Sequence, residues 1–167
     1  LEPKEHVVQT LLHLLENIKL ADQKATAFVA INSGIIAAIY AGKLLVFDGN
    51  KPYLTGLCIA TLALLGLGLL LSGLVIWPRG EKMARKVAGG DLSFPIKIGK
   101  TFPDNPNAYR DAVAAAGTQG LIDNWYSLIV SRSEVNNIKY GYLRWAILSS
   151  ALGLAVSVAF IVHHTLQ

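Results

Sequence analysis

Three stretches of this chain are apolar almost without interruption. The first runs from about Ala25 to Phe47 with Lys43 as its single charge, the second from about Leu54 to Trp77, and the third from about Trp145 to Val162; the last two carry no charge. Each is about 18 to 24 residues long, enough for a helix to cross a hydrocarbon core of roughly 30 Å. Lys43 lies near the far end of its span, where a lysine can snorkel toward the headgroups. Tyr40, Tyr53, Trp77 and Trp145 fall near span ends, the position amphipathic rings prefer. The pattern predicts three transmembrane helices.

Helical periodicity extends beyond the bilayer. Val8, Leu11, Leu12, Leu15 and Ile18 share one helical face, and nothing stops the helix before Ala25, so residues 5–23 are expected to run into the first span as one rod. Toward the other end, Thr118 reads as an N-cap. Beyond it Leu121, Leu128, Val135 and Tyr142 recur every seven residues, with Trp125 four after the first. Such a stripe predicts a helix–helix seam. Between these rods the chain is irregular. Glu81 to Ala88 reads as a short amphipathic helix, Gly89-Gly90 with Pro95, Pro103 and Pro106 as loop punctuation, and Asn107 to Ala116 as another short helix. The alternation Phe94, Ile96, Ile98 leaves room for a short strand.

The expected fold is therefore an all-α membrane protein whose first and last spans extend into a cytoplasmic helical stalk, with an irregular loop region between spans two and three. Its expected divisions are an amphipathic helix over 1–24, a transmembrane hairpin over 25–77, a loop region over 78–117, the cytoplasmic part of the last helix over 118–144, and the third span over 145–163.

Charge orients this layout. Lys4, Lys19 and Lys24 precede the first span, and ten of the 15 Lys and Arg residues lie between Arg79 and Arg144, whereas only Lys43 and Lys51 belong to the opposite side. The positive-inside rule then places the N-terminus in the cytoplasm and His163, His164 and Gln167 outside. Composition agrees with lipid as the solvent: 53% of residues are hydrophobic and 16% charged, against about 25% charged in a soluble domain. Cys58 is the single cysteine and lies inside a span, which excludes a disulfide framework or a cysteine-based metal site. Leu1 to Lys24 lacks the apolar core and small-residue cleavage site of a signal peptide.

Small residues mark packing seams. Thr26, Ala30, Gly34, Ala38 and Gly42 form a four-residue ladder down the first span, and Ser149, Gly153 and Ser157 another down the third. Such ladders let backbones approach closely, either within one chain or between copies of a homo-oligomer. Asn32, beside Ser33, is costly in lipid unless it bonds, so it is expected to make an interhelical hydrogen bond or to line a polar path once copies assemble.

Candidate chemistry is sparse. His6 and His13 lie on the opposite side of the membrane from His163 and His164, none belongs to a metal-ligand motif, and Asp104 and Asp111 read as solvated loop carboxylates. Gly66-Leu67-Gly68 is a packing feature inside a span rather than a phosphate loop. These features argue against an enzyme and against any metal or cofactor. The cations of the last rod are more suggestive. Arg132 and Lys139 continue the seven-residue line from Trp125, with Asn136 between them, and Lys100, Tyr109 and Arg110 could add cations and an aromatic face. An anion site is one reading, since guanidinium forks match phosphate oxygens. A solvated basic rim beside anionic lipid is the other.

Two short words frame the spans: Ala21-Asp22-Gln23-Lys24-Ala25 before the span that contains Ile31-Asn32, and Ile138-Lys139-Tyr140 followed by Leu143 and Ala146 before the last. With the Phe94 loop and Tyr109, this order resembles the transmembrane effector family of the Pycsar (pyrimidine cyclase) anti-phage systems, departing from it at Ser93-Phe94-Pro95-Ile96. The resemblance implies a bacterial inner-membrane effector. A partner cyclase would supply cyclic CMP or cyclic UMP, and the effector would then impair the membrane and cause abortive infection. It implies no nucleic-acid partner. A membrane anchor that binds a soluble partner through its stalk is the competing reading. A small transporter fits poorly, because no inverted repeat or broken-helix pair is visible.

Overall fold

Each long helix begins on a proline. In a computed structural model, which describes residues 3–42, 51–77, 98 and 101–165, the helices are α1 (Pro3–Ala41), α2 (Pro52–Ile76) and α3 (Pro106–Thr165). Proline suits a first helical position because its fixed φ is already helical and the missing N–H would have no partner there. Asn105 completes the start of α3: its Oδ1 accepts the N–H of Ala108 at 3.0 Å, as an N-cap side chain does. At the far end of α2, Trp77 N–H still donates to Gly73 O at 3.0 Å, and Pro78 follows with no N–H to continue the ladder. The three helices are long and apolar enough to span a bilayer, and no strand occurs among the described residues.

Inside α3 the backbone leaves helical geometry once, at Gly117, with φ 61° and ψ −175°. That combination is essentially open to glycine alone. The break falls immediately before Thr118 and separates a short helix over 106–116 from the long one that follows. The proposed strand through Phe94 and Ile96 lies outside the described residues, as does the Glu81 to Ala88 helix. Ile98 itself is helical, and Phe102 N–H donates to Ile98 O at 2.9 Å, so that strand does not reach it.

The chain divides into two contact units, Leu1–Ile18 with Pro78–Asn137, and Lys19–Trp77 with Ile138–Gln167. The second unit holds the spans. Its α2 buries Leu54, Cys58, Thr61, Leu65, Gly68, Ser72 and Val75, and α3 buries Lys139, Leu143, Ala146, Ser150, Gly153, Ser157 and Phe160. Both series alternate steps of four and three, the spacing of a left-handed helix–helix seam. On α1 the buried positions Ala21, Ala25, Asn32 and Ile39 keep the same period. One end of the bundle is closed by Ala21, Ala25, Val75 and Leu143 with Phe28, Tyr140 and Tyr142 packed around them. The other is closed by Leu54, Cys58 and Phe160. Within this bundle α2 therefore runs opposite to α1 and α3, which run parallel to each other.

The distribution of polarity is the reverse of a soluble domain. Asn32, Thr61, Ser72, Ser149, Ser150 and Ser157 are buried, while Leu67, Leu70, Leu74, Leu152, Leu154 and Val158 are exposed. In lipid nothing drives a leucine inward, whereas small and hydroxylated side chains allow close packing and find hydrogen-bond partners only between helices.

This reversal decides between the two ladders. Ser149, Gly153 and Ser157 are buried within the chain, and a Cβ on Gly153 would lie 2.8 Å from Leu65 Cδ2. Thr26, Ala30, Gly34, Ala38 and Gly42 are all exposed, and a Cβ on Gly34 would meet nothing within 4 Å. The first-span ladder thus does not pack one span on another inside the chain, because α1 turns the Asn32 face inward instead. Gly34→Leu and Ala38→Leu are accordingly expected to leave the melting temperature of the detergent-solubilised monomer unchanged, within about 0.5 kcal/mol of stability. A larger loss in the monomer would show that this face is covered from within.

In the first unit the amphipathic face of α1 is split. Val7 is buried, Leu11, Leu14 and Ile18 are half-buried, and Val8, Leu12 and Leu15 are exposed. The seam of α3 is also rotated from the expected one. Asn124, Ser131 and Val135 are buried, whereas Leu121, Trp125 and Leu128, and Tyr142 in the second unit, are half-buried. The seven-residue period holds but its phase favours small and polar side chains, which let helix axes approach more closely than leucine does.

Candidate functional site

Two arrangements in the spanning unit bring chemistry-bearing residues together. At the end closed by Ala21 and Leu143, Lys139 Nζ on α3 donates to Asp22 Oδ1 on α1. The lysine side chain is 7% exposed and the aspartate 37%. An ammonium buried to this degree is tolerable only with an anion beside it. Asp22 lies one residue after Ala21 and Lys139 one before Tyr140, so the pair sits at the same end of the bundle as that apolar cluster. The two sequence words that frame the spans therefore meet in space.

Deeper in the bundle, three helices converge on one polar layer. Asn32 Nδ2 on α1 donates to Ser150 Oγ on α3 at 2.8 Å, and Ser150 Oγ donates onward to Ala146 O at 2.7 Å. Ser149 Oγ donates to the same carbonyl at 3.1 Å. Gly68 of α2 completes the layer by having no side chain: a Cβ there would lie 2.6 Å from both Asn32 Nδ2 and Ser150 Oγ. The expected interhelical bond of Asn32 is thus present. Its Oδ1 is buried and has no hydrogen-bond partner among the described residues, as is true of the Thr61 and Ser72 hydroxyls elsewhere along α2.

The remaining expected ligand residues lie in the first unit. Arg132 and Asn136 are half-buried, one turn apart on α3, and Asn136 Oδ1 is buried without a hydrogen-bond partner among the described residues. Tyr109 stacks edge-on against Phe102, ring centroids 5.6 Å apart, and Arg110 is exposed beside Asp111 at 3.6 Å. An ion pair so exposed contributes little. Lys100 lies outside the described residues. Lys139, expected as a phosphate ligand, already has a carboxylate partner in Asp22. Sequence reading missed Asp22 as the partner. The signal available was that an acid stood in the last turn before a span, where an unpaired carboxylate is costly. No group of three or more metal-ligating side chains occurs among the described residues.

Comparison with protein families matches residues 6–164 to the Pycsar effector protein domain, PycTM. The chain belongs to this family. No curated protein and no solved structure matches it. As a Pycsar effector it is a membrane protein of anti-phage defence, from a transmembrane effector family rather than a known catalytic one. The match covers all three helices, both framing words and the Asn32 layer, so the Asp22–Lys139 pair and the Asn32–Gly68–Ser150 junction belong to the effector domain itself.

Proposed function

We propose that this effector resides in the bacterial inner membrane with its N-terminus in the cytoplasm. There it responds to cyclic CMP or cyclic UMP made by a partner cyclase, and it impairs the membrane as a homo-oligomer, ending phage growth by abortive infection. The effector-domain match over residues 6–164 carries this reading. The crowding of ten Lys and Arg residues between Arg79 and Arg144 supports an N-terminus on the cytoplasmic side, where a compact anionic messenger would arrive. Arg132 is the first candidate for the messenger's phosphate, with Asn136 beside it, and Arg110, Tyr109 and Lys100 next. Messenger binding switches the protein only if it favours one packing of the helices over another. The unmatched acceptor of Asn32, in a layer shared by three helices, is a place where an alternative packing would gain a hydrogen bond.

Calorimetry with the purified full chain in detergent tests the sensing step. Cyclic CMP or cyclic UMP should bind. Arg132→Gln should weaken that binding about tenfold, the size expected for a charge-assisted hydrogen bond. Silence at millimolar concentrations of both nucleotides would remove them from the account. In cells, expression together with the messenger should discharge the membrane potential, read by a voltage-sensitive dye.

A second reading, a membrane anchor for a soluble partner, draws on the exposed Val8, Leu12 and Leu15 of α1. Under the homo-oligomer reading a second copy covers such apolar surface, and the small-residue face Thr26–Gly42 as well. Gly34→Leu should then shift the mass in detergent toward monomer. An unchanged mass, together with co-purification of a soluble protein, would favour the anchor.

A further inference from the structure

We propose that the spanning unit holds an anionic phospholipid in a groove between α1 and α3, at the end of the bundle where the uncharged runs begin. The groove encloses about 300 Å³ and is lined by Lys24, Tyr140, Leu143, Arg144, Ile147 and Leu148. Its composition is graded along α3. Arg144 lies level with the last charged turn, and Ile147 and Leu148 continue one turn into the span. Lys24 holds the corresponding place on α1, directly before the first span.

Both cations are exposed, and neither has an ion-pair partner among the described residues. Asp22, the acid closest to Lys24 in sequence, is taken by Lys139. Among the described residues, the groove therefore presents two positive charges with no anion paired to them. Ile147 and Leu148 are exposed as well, so the apolar half is open to an acyl chain. Trp145, 63% exposed on the adjoining face, suits the headgroup level. A soluble phosphate ester would use the cations alone and leave the apolar half uncovered. A phospholipid uses both, its phosphate between Lys24 and Arg144 and a chain along Ile147 and Leu148. Basic pockets between spanning helices bind anionic headgroups on these terms, and the net negative charge of phosphatidylglycerol matches the pair where zwitterionic phosphatidylcholine does not.

The test is native mass spectrometry of the full chain in detergent, titrated with equal amounts of dioleoyl phosphatidylglycerol and dioleoyl phosphatidylcholine. Phosphatidylglycerol adducts should dominate. The double variant Lys24→Gln/Arg144→Gln should lose that preference by about tenfold, while Lys51→Gln, at the opposite end of the bundle, keeps it. Because both replaced side chains are exposed, the double variant should melt with the parent protein. Ile147→Gln should weaken retention of phosphatidylglycerol while leaving the charges in place. No preference in the parent protein, or one that survives the double variant, would overturn the proposal. Displacement of the lipid by millimolar cyclic CMP or inorganic phosphate would also overturn it, by reassigning the groove to a soluble anion.

Discussion

Asp22→Ala is expected to destabilise the protein by about 3 kcal/mol, seen as a fall on the order of 10 °C in the melting temperature in detergent. The cost comes less from the lost attraction than from what remains. Lys139, with 7% of its side chain exposed, would keep a buried ammonium with no anion beside it. The reciprocal variant is milder. Lys139→Met leaves the carboxylate of Asp22, and a group 37% exposed can turn to water, so a loss of about 1 kcal/mol is expected. Removing both partners together should bring stability back close to the parent, since an apolar replacement of a buried pair strands no charge. Equal losses in the two single variants, or a double variant as unstable as Asp22→Ala, would contradict this asymmetry. The same series separates structure from sensing. If Lys139 is a positioning residue for the bundle end, Lys139→Met still binds the messenger with parental affinity at temperatures where it remains folded.

How far the sequence reveals this molecule depends on which solvent each segment meets. The spans are legible because lipid admits few charges, so Leu54 to Trp77 and Trp145 to Val162 stand out by composition alone, and α1 extends from Pro3 to Ala41 as its unbroken periodicity implies. The facing of the helices is not legible in the same way. A hydrophobic face predicts burial only where water is the alternative, and here Leu70 is exposed while Ser72 is buried. The small ladder on α1 shows the same limit. Four-residue spacing identifies a surface able to pack closely but not which helix packs on it, and within the chain the inward face is the one bearing Asn32. Asn32 itself was legible, because an amide in lipid must find a partner, and Ser150 supplies it at 2.8 Å. The partner of Lys139 was not legible, because its acid lies 117 residues away in sequence. No local spacing rule couples Asp22 to it.

Gly68→Val should be the most damaging substitution at any glycine within the spans, destabilising by about 3 kcal/mol. Even a single added Cβ would lie 2.6 Å from both Asn32 Nδ2 and Ser150 Oγ, closer than unbonded atoms approach. Those two atoms are not free ends that can swing aside, since they are hydrogen-bonded to each other inside the three-helix layer. The added carbons must therefore spread α2 from α1 and α3 or break the bond and strand the amide in lipid, and each route costs on the order of 1–3 kcal/mol. Gly153→Ala should cost less. Its nearest obstruction, Leu65 Cδ2 at 2.8 Å, is the tip of a flexible side chain, although Leu64 Cβ at 3.3 Å limits the relief. Gly66→Val, with nothing within 4 Å of its added Cβ, should be neutral. The decisive comparison is Gly68→Ala in the parent and in an Asn32→Ala background. Shortening residue 32 removes one of the two colliding tips, so the second substitution should cost clearly less there, a coupling expected only of side chains in direct contact. Strict additivity would mean that Gly68 and Asn32 do not meet, and the three-helix layer would have to be redrawn.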